Sequence, residues 1–381
     1  MKFGLFTIST FDLIPMCKRL SNAILEANDQ HVVEIHECTL PGNTVYDERV
    51  RFYSIGSYKS RDHFNTQSIW FKIIKTVRLA FNLLFFHIKN RKSVTYTIDL
   101  LSLNCLLIFK RLFFFNDIIV VYHQFELLEV SDLSKFQKFT LNLFSKLKSG
   151  LDLFICPEQN RITYFIEYTG LQQNQAYLLP NTCYPVEIPQ DEKSKNVSDK
   201  ITLIHIGNVG YNHYISEYLD FLEQIADPEK FHFLFVGYMP DDVVNLIRSR
   251  EIQGLELIGA VPHHELPKYY EKADIGFILY RDLGLNYRYC APNKLYEYWA
   301  NGIPVIAPSL PGLTPLFKNE PQGLLIDMDN PDDFFRKATS YIEKLNPHSY
   351  AEYLIDYFKK EYDLKIHQEK LLDTIASKQN S

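Results

Sequence analysis

The segment at residues 291–307, APNKLYEYWANGIPVIA, has the residue types and spacing with the clearest chemical meaning. Pro292 suits the first position of a helix, where its missing N–H would have no partner in any case. Gly302 suits the position just past a helix, and Pro304 prevents the helix from continuing. The pattern therefore predicts a short helix, capped at both ends, that leads into a short strand. Its first turn leaves backbone N–H groups free, and these groups and the helix dipole favour an anion.

Two charged side chains lie near the start of this predicted helix. Lys294 falls in the first turn, where a cation opposes the dipole, so its position makes better sense if a phosphate binds there. Glu297 falls one turn on, on the same face as Lys294 and Asn293. Its carboxylate can accept hydrogen bonds from a pair of sugar hydroxyls. The alternative is an ordinary capped helix with an i,i+3 ion pair, and the local pattern leaves both interpretations open.

The same stretch resembles the donor-site helix of GT-B glycosyltransferases of the retaining family four, the glycosyl transferases group 1. That family has a P-N-K-L-x-E-Y-x-A-x-G-x-P-V-I form of the pattern. The matching residues are Pro292, Asn293, Lys294, Leu295, Glu297, Tyr298, Ala300, Gly302, Pro304, Val305 and Ile306. The resemblance implies retaining, metal-independent transfer of a sugar from a nucleotide-diphosphate donor to a glycan or lipid-linked glycan acceptor. It implies no cofactor, because the nucleotide sugar is a co-substrate.

Two further segments resemble the C-terminal domain of that family. Residues 204–208, IHIGN, are similar to its first strand and glycine loop, which implies donor contacts for Gly207 and Asn208. Residues 257–274 are similar to its "G-x-V … E-L … Y … A-D" segment. By resemblance, the backbone at residues 260–262 contacts the nucleotide base, so Ala260, Val261 and Pro262 take that role.

The N-terminal half resembles the family in two short places. Residues 120–126, VVYHQFE, are similar to the strand that ends in a histidine near the donor sugar, and residues 179–181 are similar to the P-N that closes the N-terminal domain. The resemblance implies that His123 hydrogen-bonds a sugar hydroxyl or steadies developing charge. Glu126 would orient His123 or hold the acceptor. The alternatives are a satisfied core histidine at position 123 and a solvated loop carboxylate at position 126.

The sequence departs from the family pattern at two positions. The acid that the family places eight residues before Glu297 is Tyr289 here, and the glycine loop at residues 207–214 lacks the usual Arg and Lys. Lys294 would then carry the diphosphate charge, with Arg288 or Arg281. The predicted catalytic residues are His123, Lys294 and Glu297. The predicted donor-binding residues are Gly207, Asn208, Ala260, Val261, Pro262, Arg288, Tyr289, Pro292, Asn293, Lys294, Leu295 and Glu297.

The elements that must position these residues alternate between strand and helix patterns. This β/α alternation predicts two Rossmann-like domains in tandem, each a doubly wound parallel sheet, with ligands beyond the carboxyl ends of the strands in a shared cleft. We expect an acceptor domain at residues 1–185, a linker at 186–200 and a donor domain at 201–345. A helical tail at residues 346–381 is expected to pack back on the first domain.

Composition excludes several classes of protein. The 381 residues are 46% hydrophobic and 23% charged, which is typical of globular chains, and a net charge of −6 disfavours nucleic acid as a partner. Six scattered cysteines without C-x-x-C indicate reduced thiols rather than a disulfide framework or a zinc site. The D-x-D at residues 327–329 and the HHE at 263–265 do not have the context of metal sites, so we expect no metal. The N-terminal apolar run predicts a strand rather than a signal peptide.

A helix predicted at residues 67–88 has an apolar face and several basic residues. The face comprises Trp70, Ile73, Ile74, Val77, Phe81, Leu84, Phe85 and Ile88. No acidic residue occurs between Asp62 and Asp99, whereas Lys72, Lys75, Arg78, Lys89, Arg91 and Lys92 do. A basic amphipathic helix can lie on an anionic membrane surface, so the 67–92 region indicates such a partner. The alternative is a helix packed on its own sheet with a solvated basic face.

Together these patterns predict a glycosyltransferase of surface polysaccharide synthesis, such as lipopolysaccharide or capsule, or of another glycoconjugate. The expected location is cytoplasmic, with a peripheral position on the inner face of the cell membrane. Two alternatives stay open: a nucleotide-sugar epimerase on the same fold, and a non-catalytic relative that binds a nucleotide sugar or a protein partner.

Overall fold

The structure is a computed structural model that describes residues 2–7, 15–39, 47–58, 69–127, 129–186, 200–345 and 347–379. The chain divides into two compact units. The first comprises Met1–Pro180 and Lys365–Ser381, and the second comprises Asn181–Leu364. No helix in the described ranges is long and apolar enough to cross a membrane.

The first unit is built on a sheet of seven parallel strands. They are β1 (Lys2–Thr7), β2 (Val32–Thr39), β3 (Val50–Tyr58), β4 (Ser93–Thr97), β5 (Ile119–His123), β6 (Leu153–Cys156) and β7 (Ala176–Leu178). Their spatial order is β3-β2-β1-β4-β5-β6-β7. Strand β1 is third in this order and pairs with β2 on one side and β4 on the other, so the direction of winding reverses between β1 and β4. This arrangement is the doubly wound topology that the alternating pattern predicts.

Helices α1 (Pro15–Ala27), α2 (Ile69–Lys89), α3 (Leu100–Leu112), α4 (Lys135–Leu147) and α5 (Gln159–Thr169) connect these strands. Local signals fix several helix starts: the Asp99 side chain caps α3, and Ser134 and Gln137 form a capping box on α4. Helices α2, α3 and α4 lie side by side and bury apolar residues in one core with the strands, among them Leu83, Leu106 and Phe144.

The second unit contains a parallel sheet of six strands. They are β8 (Ile201–Ile206), β9 (Phe231–Val236), β10 (Leu255–Gly259), β11 (Ile275–Phe277), β12 (Val305–Pro308) and β13 (Gly323–Ile326), in the order β10-β9-β8-β11-β12-β13. Successive residues of β8 pack in different cores: Leu203 lies in one apolar cluster and Ile204 in another. The sheet is therefore covered by apolar side chains on both faces, as in other parallel sheets.

The helices of the second unit are α6 (Ile215–Ile225), α7 (Asp241–Ser249), α8 (Pro267–Tyr270), α9 (Leu285–Arg288), α10 (Asn293–Ala300), α11 (Pro331–Lys344) and α12 (Pro347–Glu361). The last helix of the chain, α13, spans Leu364–Gln379. The tail expected at 346–381 thus divides: α12 packs against α10 in the second unit, and the chain from Lys365 onward belongs to the first. Leu354 and Phe358 of α12 are fully buried, which explains why this helix stays with the second unit.

Most predicted helices and strands are confirmed to within two residues. Three strands and two helices lie outside the predicted set: β3, β7, β13, α5 and α9. Strand β7 has three residues, and β3 alternates apolar residues with Arg51, Ser54 and Gly56 at the sheet edge, so neither has a strong hydrophobic run. The predicted linker falls largely outside the described residues, because only its ends, at residue 186 and residue 200, are described.

Helix α2 is apolar on two sides. Leu79, Leu83 and Phe86 are buried against the sheet, while Ile74, Val77, Phe81, Phe85 and Ile88 are exposed. The predicted apolar face therefore points away from the core, and Leu84 is half-buried beside it. Lys75, one of the basic residues expected to meet a membrane surface, is instead buried. The side chains of Trp70, Lys72 and Ile73 lie outside the described part of the chain.

Candidate functional site

The predicted capped helix exists as α10, with its N-terminus at the carboxyl end of the second sheet. Pro292 is the N-cap, with φ −73° and ψ 125°, rather than the first helical residue, and the helix begins at Asn293. The Asn181 side-chain amide donates to the carbonyl of Ala291 at 2.9 Å, across 110 residues of sequence. This bond fixes the chain just before the cap, so the first turn of α10 has a defined position.

The inner face of α10 is bound tightly to the sheet. Leu295, Tyr298 and Trp299 are fully buried. The Tyr298 hydroxyl accepts a hydrogen bond from the N–H of Ile206 at 2.8 Å, and the Trp299 indole donates to the carbonyl of Gln322 at 2.9 Å. Because Leu295 belongs to this core, its side chain faces away from any ligand, and only its backbone is available for the predicted donor contact.

Lys294 and Glu297 form a close ion pair on α10. Lys294 Nζ lies 2.6 Å from Glu297 Oε2, and the Tyr270 hydroxyl donates to the same oxygen at 2.5 Å. His263 Nε2 lies 3.5 Å from the other oxygen, Oε1. Tyr270 comes from α8 and His263 from the short turn at His263–Glu265, so three segments meet at one carboxylate. Among the described residues Oε1 has this one long contact, so it is the oxygen better placed to accept a further hydrogen bond.

The Glu297 side chain is 8% exposed, and burial by itself raises the pKa of a carboxyl group. The hydrogen bond with His263, the charge and hydrogen bond of Lys294 and the hydrogen bond from Tyr270 outweigh burial and lower the pKa of Glu297 to about 2. Burial, followed by the Glu297 charge, raises the pKa of Tyr270 well above its ordinary value. Glu297 is therefore a carboxylate and Tyr270 a hydrogen-bond donor at neutral pH.

Two glycine turns shape the loop that follows β8. Gly207 (φ 145°) and Gly237 (φ 146°) follow β8 and β9 and pack against each other. A Cβ on Gly237 would lie 1.8 Å from the Gly207 carbonyl oxygen, so only glycine permits this approach. Farther along the loop, the Tyr214 N–H donates to the Leu279 carbonyl at 2.7 Å. Asn208 is exposed on this loop, beside Gly207.

The remaining predicted donor residues lie on two other loops at the same edge of this sheet. Ala260 and Pro262 are exposed after β10, and Val261 is half-buried against the core. Arg288 is exposed at the end of α9 and pairs with Asp282 at 3.0 Å, and Tyr289 follows it half-buried. Arg281 pairs with Glu217 and lies over the ring of Tyr214, 4.6 Å from its centroid. All three cations considered for the diphosphate are thus ion-paired here.

A protein-family model matches most of the second unit. Residues 200–344 match the family model described as Glycosyl transferases group 1. The second unit contains a group 1 glycosyltransferase domain. The matched range includes the glycine turn at Gly207, the loop after β10 and the whole of α10. The predicted family resemblance and the predicted enzyme class, a glycosyltransferase, are confirmed.

Solved structures of glycosyltransferases are similar to the full chain. A glycosyltransferase from Rickettsia africae has a TM-score of 0.74 at 12% identity, over 99% of this chain and 98% of that chain. Anabaena HepE in complex with UDP and glucose has a TM-score of 0.70 at 14% identity, over 99% and 100%. The lipopolysaccharide outer core galactosyltransferase WaaB, in its apo form, has a TM-score of 0.69 at 14% identity, over 99% of this chain and 100% of that chain. These similarities confirm the GT-B fold. A comparison of the sequence with curated proteins finds no match.

His123 and Glu126 belong to the first unit of this glycosyltransferase. His123 ends β5, is fully buried and shares a hydrogen bond between Nδ1 and the Tyr96 hydroxyl. Its Nε2 has no hydrogen-bond partner among the described residues, and burial lowers the pKa of the imidazole to about 3. Glu126 is exposed in the loop that follows. His123 thus has the burial of a core histidine, and one of its ring nitrogens lacks a hydrogen-bond partner among the described residues.

The candidate site brings together residues to which the sequence analysis gave no role. Tyr270 and His263 contact Glu297, but they lie 27 and 34 positions before it in sequence, so no local spacing connects them. His205 on β8 is also buried. Its Nδ1 donates to the Phe277 carbonyl at 3.0 Å, and its Nε2 has no partner within the described chain. The sequence signal that could have identified His205 is its position two residues before Gly207 of the predicted glycine loop.

The D-x-D at residues 327–329 has a structural role in this domain. The Tyr214 hydroxyl donates to Asp329 at 2.8 Å, and Asp327 accepts from the Asp329 N–H at 3.1 Å. Across the ranges that the structure describes, no group of three or more His, Cys, Asp or Glu is placed to hold a metal ion.

Proposed function

We propose that this glycosyltransferase moves a sugar from a nucleotide-diphosphate donor to a glycan or lipid-linked glycan acceptor, with retention of anomeric configuration and without a metal ion. The observation that carries the proposal is the start of α10. There a cation, a buried carboxylate and free backbone N–H groups meet at the carboxyl edge of a parallel sheet.

The first turn of α10 has two complementary functions in this proposal. Its N–H groups and the Lys294 ammonium attract the diphosphate, and Glu297 Oε1 accepts from the ribose hydroxyls of the nucleotide. The Lys294–Glu297 pair keeps both charges stable before the donor binds. Gly207 and Asn208 would lie against the phosphates, and residues 260–262 against the base.

The proposed chemistry needs no nucleophile from the protein. The bond between the anomeric carbon and the phosphate oxygen breaks, and the acceptor oxygen forms the new bond on the same face of the sugar. The departing phosphate oxygen takes the acceptor proton. The protein positions the substrates and stabilises the leaving diphosphate, through Lys294 and the helix N-terminus. His123 would hydrogen-bond the transferred sugar through Nε2, and Glu126 would contact the acceptor.

The similar structures support particular substrates. Anabaena HepE is described in complex with UDP and glucose, and WaaB as a lipopolysaccharide galactosyltransferase. We therefore propose a UDP-hexose as the first donor to assay, and lipopolysaccharide, capsule or another surface glycan as the product class. We also propose a cytoplasmic location, peripheral on the inner face of the membrane, where lipid-linked acceptors are found.

A nucleotide screen by thermal denaturation tests the donor site. UDP, GDP, CMP and NAD are compared at millimolar concentration. A ligand at 100 times its Kd stabilises by about 2.7 kcal/mol, which raises the midpoint by a few degrees. We expect a shift with UDP or GDP that Lys294→Ala abolishes, that Lys294→Arg partly retains and that Lys272→Ala leaves intact. No shift with any nucleotide for the folded wild-type protein would contradict the proposal.

Tyr289 favours a second candidate, a relative that binds the nucleotide sugar without turnover, because it replaces the carboxylate that the family uses on the transferred sugar. Release of UDP from UDP-hexose, measured with and without a surface-glycan acceptor, separates the two. Acceptor-dependent release supports the transferase. Nucleotide binding without any release, with hydrolysis also undetectable, supports the non-catalytic candidate.

A further inference from the structure

The outer surface of three helices in the first unit is apolar and basic. Helices α2, α3 and α4 lie side by side over one face of the seven-stranded sheet. Their sequences contain nine Lys or Arg and no Asp or Glu, although the whole chain has a net charge of −6. We call the outward surface of these helices, with the turn after α3, the α2–α4 face.

The apolar part of the α2–α4 face begins on α2. Its outward residues recur at helical spacing and are 46% to 57% exposed; they are Ile74, Val77, Phe81, Phe85 and Ile88. Single exposed apolar residues are common on protein surfaces, but five in one stripe are not. The helix already buries its opposite side through Leu79, Leu83 and Phe86, so the stripe is not needed for the core.

The turn after α3 extends this surface with large aromatic side chains. Leu112 is 63% exposed and Phe114 is 79% exposed, with Phe113 between them. The Phe113 ring lies 5.8 Å from that of Phe115, which in turn lies 5.8 Å from His87 on α2. The turn is therefore next to the C-terminal end of α2, where Phe85, Ile88 and Lys89 are exposed.

Phe114 has an unfavourable backbone conformation as well as an exposed ring. Its φ is +52°, and the Phe115 N–H bonds back to the Lys110 carbonyl at 3.2 Å, so Phe114 occupies the left-handed position that ends a helix. Glycine is favoured there, and a bulky residue is disfavoured by about 1 kcal/mol or more. A phenylalanine that is both strained and in water contributes little to folding, which indicates a role in binding.

Exposed cations surround these apolar residues. Arg78 and Lys89 border the stripe on α2, Arg111 precedes the aromatic turn, and Lys135, Lys138 and Lys146 are exposed on α4 beside Phe136 and Phe139. Lys110, which is half-buried at the end of α3, pairs with Asp152 at 2.8 Å. The combination of apolar side chains for insertion and cations around them matches an anionic lipid surface.

We propose that the α2–α4 face, and not α2 alone, docks on an anionic lipid bilayer, with Phe114 and the α2 stripe inserted among the lipids. A second copy of the chain is a poorer occupant, because a symmetric dimer would place against each other two basic surfaces whose helices contain no Asp or Glu. The proposal does not depend on the donor site, and its test does not use enzymatic activity.

Vesicle co-sedimentation tests the lipid partner. The full chain is mixed with vesicles of phosphatidylcholine, with or without phosphatidylglycerol. We expect binding only with phosphatidylglycerol, weakened by salt. Arg78→Gln with Lys89→Gln should weaken binding about 25-fold, since each basic charge near the surface is worth about fivefold. The matched pair Arg248→Gln with Lys272→Gln, exposed on the second unit, should bind like wild type.

Two aromatic substitutions test the inserted residues. Phe81→Ser with Phe85→Ser should weaken vesicle binding at least about tenfold, whereas Tyr168→Ser, an exposed aromatic of the same unit, should not. Phe114→Gly should weaken binding while the thermal midpoint stays equal or rises, because glycine relieves the backbone strain. A purely structural Phe114 would give the opposite pair of results.

Three outcomes would overturn the proposal. The first is equal binding to neutral and anionic vesicles, and the second is vesicle binding that neither Phe114→Gly nor the Phe81/Phe85 pair changes. The third is a wild-type dimer, seen by sedimentation velocity, that does not bind vesicles and that these substitutions convert to monomer. The last outcome would assign the face to a second copy.

Discussion

The hydroxyl of Tyr270 donates to Oε2 of Glu297 at 2.5 Å, and this oxygen also accepts from Lys294. Within the part of the chain that the structure describes, Oε1 has a single 3.5 Å contact, with His263. The two carboxylate oxygens therefore differ: one is held by the protein, and the other can accept from a ligand. Tyr270 is thus a positioning residue for the proposed contact between Glu297 and the ribose.

Replacing Tyr270 with phenylalanine should weaken nucleotide binding about tenfold, because Glu297 loses the bond that fixes its orientation. The same change should destabilise the second unit by about 1.5–3 kcal/mol, the worth of a buried hydrogen bond to a charged group. Titration calorimetry with UDP and urea unfolding measure the two effects. The neighbouring Tyr269→Phe should change neither.

A ribose comparison separates positioning from general destabilisation. Wild type should bind UDP more tightly than 2′-deoxy-UDP, and Tyr270→Phe should narrow this difference. If the variant weakens both nucleotides equally, Tyr270 supports the fold and does not orient Glu297. If wild type binds neither nucleotide, the donor-site proposal fails instead.

The depressed pKa of Glu297 predicts a defined pH dependence. Its pKa is about 2 in the folded chain against an ordinary 4.5, so the folded state favours the carboxylate. The corresponding stability, about 3 kcal/mol, is complete above pH 4.5 and is lost as the pH falls towards 2. Glu297→Gln should therefore differ most from wild type above pH 5, and the difference should shrink below pH 4.

Urea unfolding at several pH values, with Glu229→Gln as an exposed control, measures this effect. A gap between wild type and Glu297→Gln that stays constant from pH 6 to pH 2.5 would contradict the low pKa.

The close approach of the two glycine turns predicts unequal effects of alanine. Gly237→Ala should destabilise the second unit by at least about 3 kcal/mol, since the new Cβ would overlap the Gly207 carbonyl. Gly259→Ala should cost only about 1–2 kcal/mol, because its φ is +72° but no atom lies within 4 Å of the new Cβ. Thermal unfolding of both variants checks the order, and equal effects would be inconsistent with this contact.

Burial of His123 predicts that acid destabilises the first unit. The pKa of His123 is lowered from 6.5 to about 3, so the unfolded chain takes up a proton below pH 6.5 that the folded chain does not. Stability should fall as the pH drops from 6.5 towards 3, by up to about 1.4 kcal/mol per pH unit from this group. His123→Gln should flatten the pH profile of unfolding between pH 6 and pH 4. The exposed control, His264→Gln, should have the same pH profile of unfolding as wild type. If His123→Gln also has the profile of wild type, the prediction is wrong.

Much of the fold follows from local patterns. The strand patterns at residues 201–206 and 231–236 and the helix patterns at 215–225 and 241–249 predict the bounds that β8, β9, α6 and α7 have, because these signals act over a few neighbouring residues. Strands β7 and β13 are short, and their pairing with β6 and β12 supplies what their own sequences lack. The N-cap at Pro292 differs from the prediction by one position, since the bond from Asn181 holds the preceding residue outside the helix.

The sequence by itself determined the glycosyltransferase class, the doubly wound sheets and the neighbouring pair Lys294 and Glu297, because a helix places residues three apart on one face. Tertiary structure alone decided that Tyr270 and His263 meet Glu297, because contacts between distant segments leave no period in the sequence. It also decided which apolar side of α2 faces out. Both sides of that helix are hydrophobic, and only packing against the sheet, through Leu79, Leu83 and Phe86, selects the one that is buried.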